Sequence, residues 1–384
     1  MHKLLMIPGP IEFTPEVLSS MSEPTLSHVS GEFIKIFGDS LEKMKKVWMC
    51  PDGQPFIMAG TGTLAMDMAG ANLVEKGDKV LVISTGYFGE RYAELLNRYG
   101  ADYRILRAEP GKIVDPVKIE DELRSGNYNM LTFTHVDTST AVRVDPVPIG
   151  ELGRKYDVLT VLDGVCSVAG EEIRQQEWGI DIVLTASQKA VGVPPGLALL
   201  VASPKAMEKF HNRKSPVLNY YADWSNWLPI MKAYEEGRPA YFGTPAVNLV
   251  SALSVSLNQI LDEGMEERFL RHKKTAKAFR TALRAMGIDQ IPDDSVAANT
   301  LSAPYYPGDI KGPDFIKEVN RAGIIIAGGL HPELKSRYFR VGHMGKITKE
   351  DTLATIEAIE TSLSVLNHKF DRGAAQRVIE DELG

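Results

Sequence analysis

The chain of 384 residues is too long for one ordinary domain, and its 44% hydrophobic and 24% charged composition is that of a folded globular protein. A formal net charge of −7, with no basic arm, excludes a dedicated nucleic-acid binder. The only cysteines, Cys50 and Cys166, form no CxxC or Cys/His cluster, which excludes a disulfide framework and a structural zinc site and suits a reducing compartment. The opening MHKLLMIPGP is too briefly apolar for a signal peptide, no apolar run approaches the roughly 20 residues of a membrane helix, and the C-terminus carries no address signal. The expected location is the cytoplasm.

In chain order, residues 54–58 read as a strand, and residues 64–74 as the helix that follows a Gly-rich turn. KVLVIS (79–84) is the next strand, followed by a helix over 88–99 and the strand DYRILR (102–107). NMLTFTH (129–135), VLTVLDG (158–164), DIVLTAS (181–187) and LALLVAS (197–203) complete the series. Several of these are continuous apolar runs, as strands buried on both faces are, so an α/β fold with a mostly parallel sheet and right-handed crossovers is expected. The pattern changes near residue 260. A long amphipathic helix ending at Gly287 is followed by the strand-like LSAPYY, a helix over 313–321, IIIAG, the strand RYFRVG and a helix over 349–366. The expected organisation is an N-terminal segment and large domain over 1–260, and a small C-terminal α+β domain over 261–384. Its polar end, from His368 on, is expected to fray.

Four segments carry chemistry. In DIVLTASQKAVGVPPG, an apolar strand runs into Lys189, and the Gly/Pro-rich turn after it holds the lysine at a buried strand end, where open α/β sheets bind ligands. Lost hydration lowers the pKa of such a lysine and makes it a usable Schiff-base nucleophile; a solvated surface lysine is the competing reading. In VLTVLDGVCS, Asp163 ends a buried strand and needs a partner for its carboxylate, unless it merely caps the turn before Gly164. In AGTGTLAMD, Gly60 to Thr63 lie between strand and helix, where free N–H groups favour a phosphate; a tight turn with a Thr cap is the alternative. Ala65 stands where a dinucleotide fingerprint has its third glycine. In RYFRVGHMG, Arg340 can clamp a carboxylate, or form a surface ion pair, while His343 reads as structural.

Together and in this order, these segments resemble the class V (fold type I) aminotransferases that depend on pyridoxal 5′-phosphate (PLP), most closely the alanine–glyoxylate and serine–pyruvate branch. The resemblance runs from IPGP to RVGHMG, and SQKA-x-G-x-PPG is its most specific element. Asp163 lies 26 positions before Lys189 (189 − 163), a spacing the family shares. It implies that Lys189 holds PLP covalently and shuttles the substrate proton, with Asp163 as partner of the pyridine nitrogen. Thr61, Gly62 and Thr63 match the phosphate turn, Gln188 lies beside the cofactor, Phe88 stacks on its ring, and Thr138 sits near the ring oxygen. Tyr241 and Thr244 match residues that reach the phosphate of a neighbouring subunit, which implies a homodimer with active sites at the interface. Gly9 and Arg340 match positions at the substrate carboxylate. Some relatives carry His where this chain has Thr63, so the turn here relies on a hydroxyl.

The activity implied is a ping-pong transfer of an amino group from alanine or serine to glyoxylate or pyruvate. A PLP-dependent lyase such as a cysteine desulfurase is the alternative, but neither Cys50 nor Cys166 is placed on a loop suited to that chemistry. A nicotinamide (NAD) oxidoreductase is more distant, since the glycine fingerprint is incomplete. A non-catalytic binding module would not need Lys189, Asp163 and Arg340 together. Small amino and 2-oxo acids are the expected partners, with no nucleic acid, membrane or metal.

Overall fold

Strands covered on both faces must be apolar at successive positions, and the central sheet is built from such runs. The computed structural model describes residues 3–384. Seven strands form this sheet: β1 (Gln54–Ala59), β2 (Lys79–Ser84), β3 (Asp102–Arg107), β4 (Met130–Thr134), β5 (Leu159–Asp163), β6 (Ile182–Ala186) and β7 (Leu197–Ala202). Their spatial order is β1-β7-β6-β5-β4-β2-β3. Every residue of β4, β5, β6 and β7 is buried, whereas β3 exposes Asp102, Arg104 and Arg107, charges that suit the sheet's edge.

The pairs from β3 to β6 are all parallel, as expected of strands joined by helices. β7 runs antiparallel to both β6 and β1. Only residues 187–196 join β6 to β7, less than the dozen or so residues of a parallel crossover, so the chain must turn straight back. β1 therefore points the same way as β2, β4, β5 and β6, and all five release their loops at one edge of the sheet. Helix α1 (Gly62–Leu73) leaves the end of β1 and is apolar almost all round, as a helix buried against a sheet must be. Helix α2 (Tyr87–Arg98) leaves β2 and buries one stripe, including Tyr92, Ala93 and Leu96.

Beyond residue 264 the chain forms α3 (Met265–Ala285), α4 (Gly312–Arg321), α5 (Lys349–Val365) and a small antiparallel sheet of Leu301–Ser302, Phe339–Gly342 and Ala327–Gly328. Phe279, Phe315, Phe339 and Ile359 centre a second hydrophobic cluster. Met6 belongs to that cluster, and Leu4–Leu5 pairs in parallel with Ile324–Ile325, so the N-terminal segment is anchored there. LSAPYY supplies only two strand residues, because Pro304 has no N–H with which to extend the ladder.

The polar end corrects one expectation. Residues beyond His368 do not fray: Ala374–Glu382 is a helix, α6, packed on α3 and α5. Ala375 and Ile379, one turn apart, are both fully buried in the second cluster, and Lys277 bridges to Glu382 at 2.8 Å. Two apolar positions at i, i+4 are enough to dock a helix that is otherwise polar. Among the described residues, no helix is long and apolar enough to cross a membrane.

Candidate active site

Five strand ends deliver their loops to one cavity of about 200 Å³. Its wall includes Gly9, Thr61, Gly62, Thr63, Phe88, Thr138, Asp163, Gln188 and Lys189, so most of the residues expected from sequence are brought together. The backbone shapes the cavity as much as the side chains do. Gly9 has φ +112°, and a Cβ there would stand 2.5 Å from Lys189 Cδ, so no side chain fits beside the lysine. At Gly62 a Cβ would meet Val165 Cγ2 at 2.7 Å, which lets α1 start close against the Asp163 turn.

Lys189 follows β6 in a turn closed by Gly192 N–H to Lys189 O at 2.8 Å and Val193 N–H to Ser187 O at 2.9 Å. Its Nζ donates to Pro8 O. Burial pulls the amine below its ordinary range, Arg340 adds to that, and Cys166 and Asp163 oppose it. Asp163 ends β5, and its Oδ1 accepts the Val165 N–H at 3.0 Å. Burial raises this carboxyl to about 6, against the Val165 N–H and the charges of Lys189 and Arg91, while nearby Asp137 pushes it further up. Among the described residues it forms no ion pair. Such a carboxyl is suited to a cationic N–H brought in by a ligand.

The turns carrying Lys189 and Asp163 are tied together from α3. Arg268, buried and paired with Glu263 at 2.7 Å, donates from Nε to Ala169 O at 2.7 Å and from Nη2 to Ala190 O at 2.8 Å. His272 accepts the Gly345 N–H at Nε2 (3.0 Å) while its Nδ1–H donates to Arg268 O at 2.8 Å, which joins the loop after Arg340 to the same helix.

Arg340 stands behind the cavity wall, with Nε donating to Gly328 O at 2.9 Å and Nη1 to Thr138 O at 3.3 Å. His343 is buried, with Nε2 against Ser302 Oγ at 3.0 Å and its pKa lowered to about 3, a structural residue. Tyr241 and Thr244 are not brought to this cavity: both are exposed, and Tyr241 packs on His28 with ring centroids 5.4 Å apart.

Several residues in or beside the wall were not assigned to the site from sequence, among them Asp137, Arg91 and Cys166. Asp137 accepts the Phe88 N–H at 3.0 Å and the Ser139 hydroxyl at 2.5 Å, so it sets the start of α2 and with it the Phe88 ring. Arg91 lines the cavity beside Phe88; its spacing of three residues along a helix was the available signal. Cys166 is also in the wall, on a buried turn after β5.

The donor set fits PLP. A buried primary amine faces the cavity and a buried carboxyl awaits a cationic N–H. The N-terminus of α1 offers N–H groups to a phosphate, and Gln188 Oε1 is buried in the wall without a partner among the described residues. Among the described residues no cluster could hold a metal ion.

The family model Aminotransferase class-V matches residues 15–346. An uncharacterized aminotransferase of Methanocaldococcus jannaschii is 38% identical over 97% of this chain and 96% of its own length. Alanine–glyoxylate aminotransferase 1 of Saccharomyces cerevisiae is 37% identical, covering 89% and 91%. The crystal structure of ureidoglycine–glyoxylate aminotransferase from Bacillus subtilis superposes with a TM-score of 0.93 at 28% identity, over 100% of this chain and 98% of the other. The chain belongs to the class-V aminotransferase family, with the PLP fold type I, and is a PLP-dependent transaminase.

Proposed function

We propose that this transaminase moves the amino group of a small amino acid, alanine or serine, to glyoxylate or pyruvate. The observation that carries the substrate reading is the likeness, over nearly the whole chain, to aminotransferases of small amino and 2-oxo acids. Two of the similar proteins above share glyoxylate in their names and differ in the donor, which supports glyoxylate as acceptor.

PLP, when bound, supplies an aldehyde that captures the amino group and a ring that takes up electron density from the substrate Cα. In this reading Lys189 holds the cofactor, and its Nζ, with a pKa lowered by burial, would carry the proton from the substrate Cα to the cofactor's aldehyde carbon, and back again in the reverse half-reaction. Asp163 accepts the ring N–H and keeps the ring cationic. Thr61, Gly62 and Thr63 hold the phosphate at the start of α1, Phe88 packs on the ring, and Thr138 and Gln188 orient its edge. Arg340 binds the substrate carboxylate from behind Thr138, and Gly9 leaves room beside Lys189. The Nε and Nη1 of Arg340 are fixed to backbone carbonyls, which leaves Nη2 for the substrate.

The active unit in this reading is a homodimer. Leu218, Tyr220 and Tyr241 are 78%, 77% and 65% exposed, and Tyr220 packs on Phe242 at 5.5 Å, a cluster of exposed apolar side chains suited to cover by a second copy. Tyr241 and Thr244 then face the partner's phosphate. The chain divides near residue 260, with the N-terminal strand crossing to the C-terminal part. A cytoplasmic location, testable by cell fractionation, is supported by the two free cysteines.

The visible spectrum of the purified protein tests the function. The cofactor band is expected to bleach on addition of L-alanine or L-serine and to return with glyoxylate. A band indifferent to both donors would refute the substrate assignment.

A further inference from the structure

The start of α1 is met by a cation that the sequence motifs do not include. Arg91 lies in the second turn of α2, and its Nη2 donates to Thr63 Oγ1 at 3.0 Å. Among the described residues it forms no ion pair. Its neighbour Glu90 is engaged instead with Arg107, through two bonds of 2.9 Å. A guanidinium held by one neutral hydroxyl and open to a cavity keeps most of its five N–H groups for a ligand.

Opposite it, α1 begins without the usual cap: Thr61 is the N-cap residue, but its side chain makes no cap hydrogen bond. The first N–H groups of a helix have no partner within it, so these donors and the Thr61 hydroxyl point to an acceptor not supplied by the protein. Thr61, Gly62, Thr63 and Arg91 line one cavity with Lys189.

We propose that Arg91 is a binding residue for the cofactor's phosphate. Its guanidinium donates to a phosphate oxygen while Thr63 fixes its approach. The inference rests on the PLP reading of the cavity. Phosphate is the chemistry selected, because the cation meets an uncapped helix N-terminus, and a dianion is stabilised by both the guanidinium and the helix dipole. Arg91 is half-buried and on the rim, so its replacement removes a ligand contact and leaves the core intact.

The test compares PLP with pyridoxal, which has the same ring and aldehyde but no phosphate. Dissociation constants of both are measured on cofactor-stripped wild-type, Arg91→Met and Arg91→Lys protein, from the visible band and tryptophan fluorescence. Loss of a charge-assisted contact should weaken PLP on the order of ten- to a hundredfold in Arg91→Met and leave pyridoxal within about twofold, with Arg91→Lys between. Inorganic phosphate should compete with PLP on the wild type and more weakly on Arg91→Met. Equal weakening of PLP and pyridoxal would overturn the inference, since Arg91 would then act through Asp163's charge; so would no weakening at all. A wild-type chain that binds neither compound would overturn the PLP reading itself, and this inference with it.

Discussion

Replacing Asp163 by Asn should make the cofactor-free protein more stable at neutral pH while disabling the enzyme. Burial raises the Asp163 carboxyl from 3.8 to about 6 in the folded chain. A group whose folded pKa lies above its unfolded value stabilises the fold fully below the unfolded pKa, and that contribution is lost as pH rises through the folded one. Two pH units at about 1.4 kcal/mol each give roughly 3 kcal/mol that ionised Asp163 costs the cofactor-free fold above about pH 7. Asn keeps an oxygen for the Val165 N–H and carries no charge. Urea unfolding of cofactor-stripped wild type and Asp163→Asn, followed by tryptophan fluorescence between about pH 5 and pH 8, isolates the effect, because every other titrating group is common to both. The variant should lead by up to roughly 3 kcal/mol at the alkaline end, with the gap narrowing as pH falls below about 6, to roughly half at about pH 5. With PLP added the order should reverse, since Asn cannot pair with a cationic ring nitrogen. A gap that stays constant across the pH range would refute the reasoning.

Arg340→Ala should raise KM for both amino and keto acids by roughly ten- to a hundredfold while PLP stays bound, the signature of a lost carboxylate contact; unchanged kinetics would remove Arg340 from the substrate. Mixing Lys189→Ala subunits with Thr244→Ala subunits should give hybrids with two distinguishable sites, one carrying both defects and one carrying neither. A fully active monomer in sedimentation would rule the shared site out. Ile379→Ala, in the C-terminal helix, should lower stability by about 2–4 kcal/mol in urea melts, the cost of a buried aliphatic truncation; no change would mean that the helix is not docked in solution.

What could be read from the residues in order was whatever local chemistry enforces. β4, β5, β6 and β7 were legible because strands covered on both faces admit only apolar residues, and the turns at Lys189, Asp163 and Thr61 because glycine, proline and strand ends confine the chain there. The roles of those turns came from resemblance, since no spacing states what a carboxylate or an amine will bind. The rest depended on partners distant in the chain. Whether α6 docks is decided by the face of α3, about a hundred residues earlier, and a polar segment carries only the two apolar positions that the face needs. The reversal of β7 follows from a loop too short to cross the sheet. Arg91, Asp137 and Arg268 look like ordinary surface charges in sequence, because a charged side chain takes its role from what surrounds it. Only the packed chain brings Thr63, the Phe88 N–H and the carbonyls of Ala169 and Ala190 within their reach.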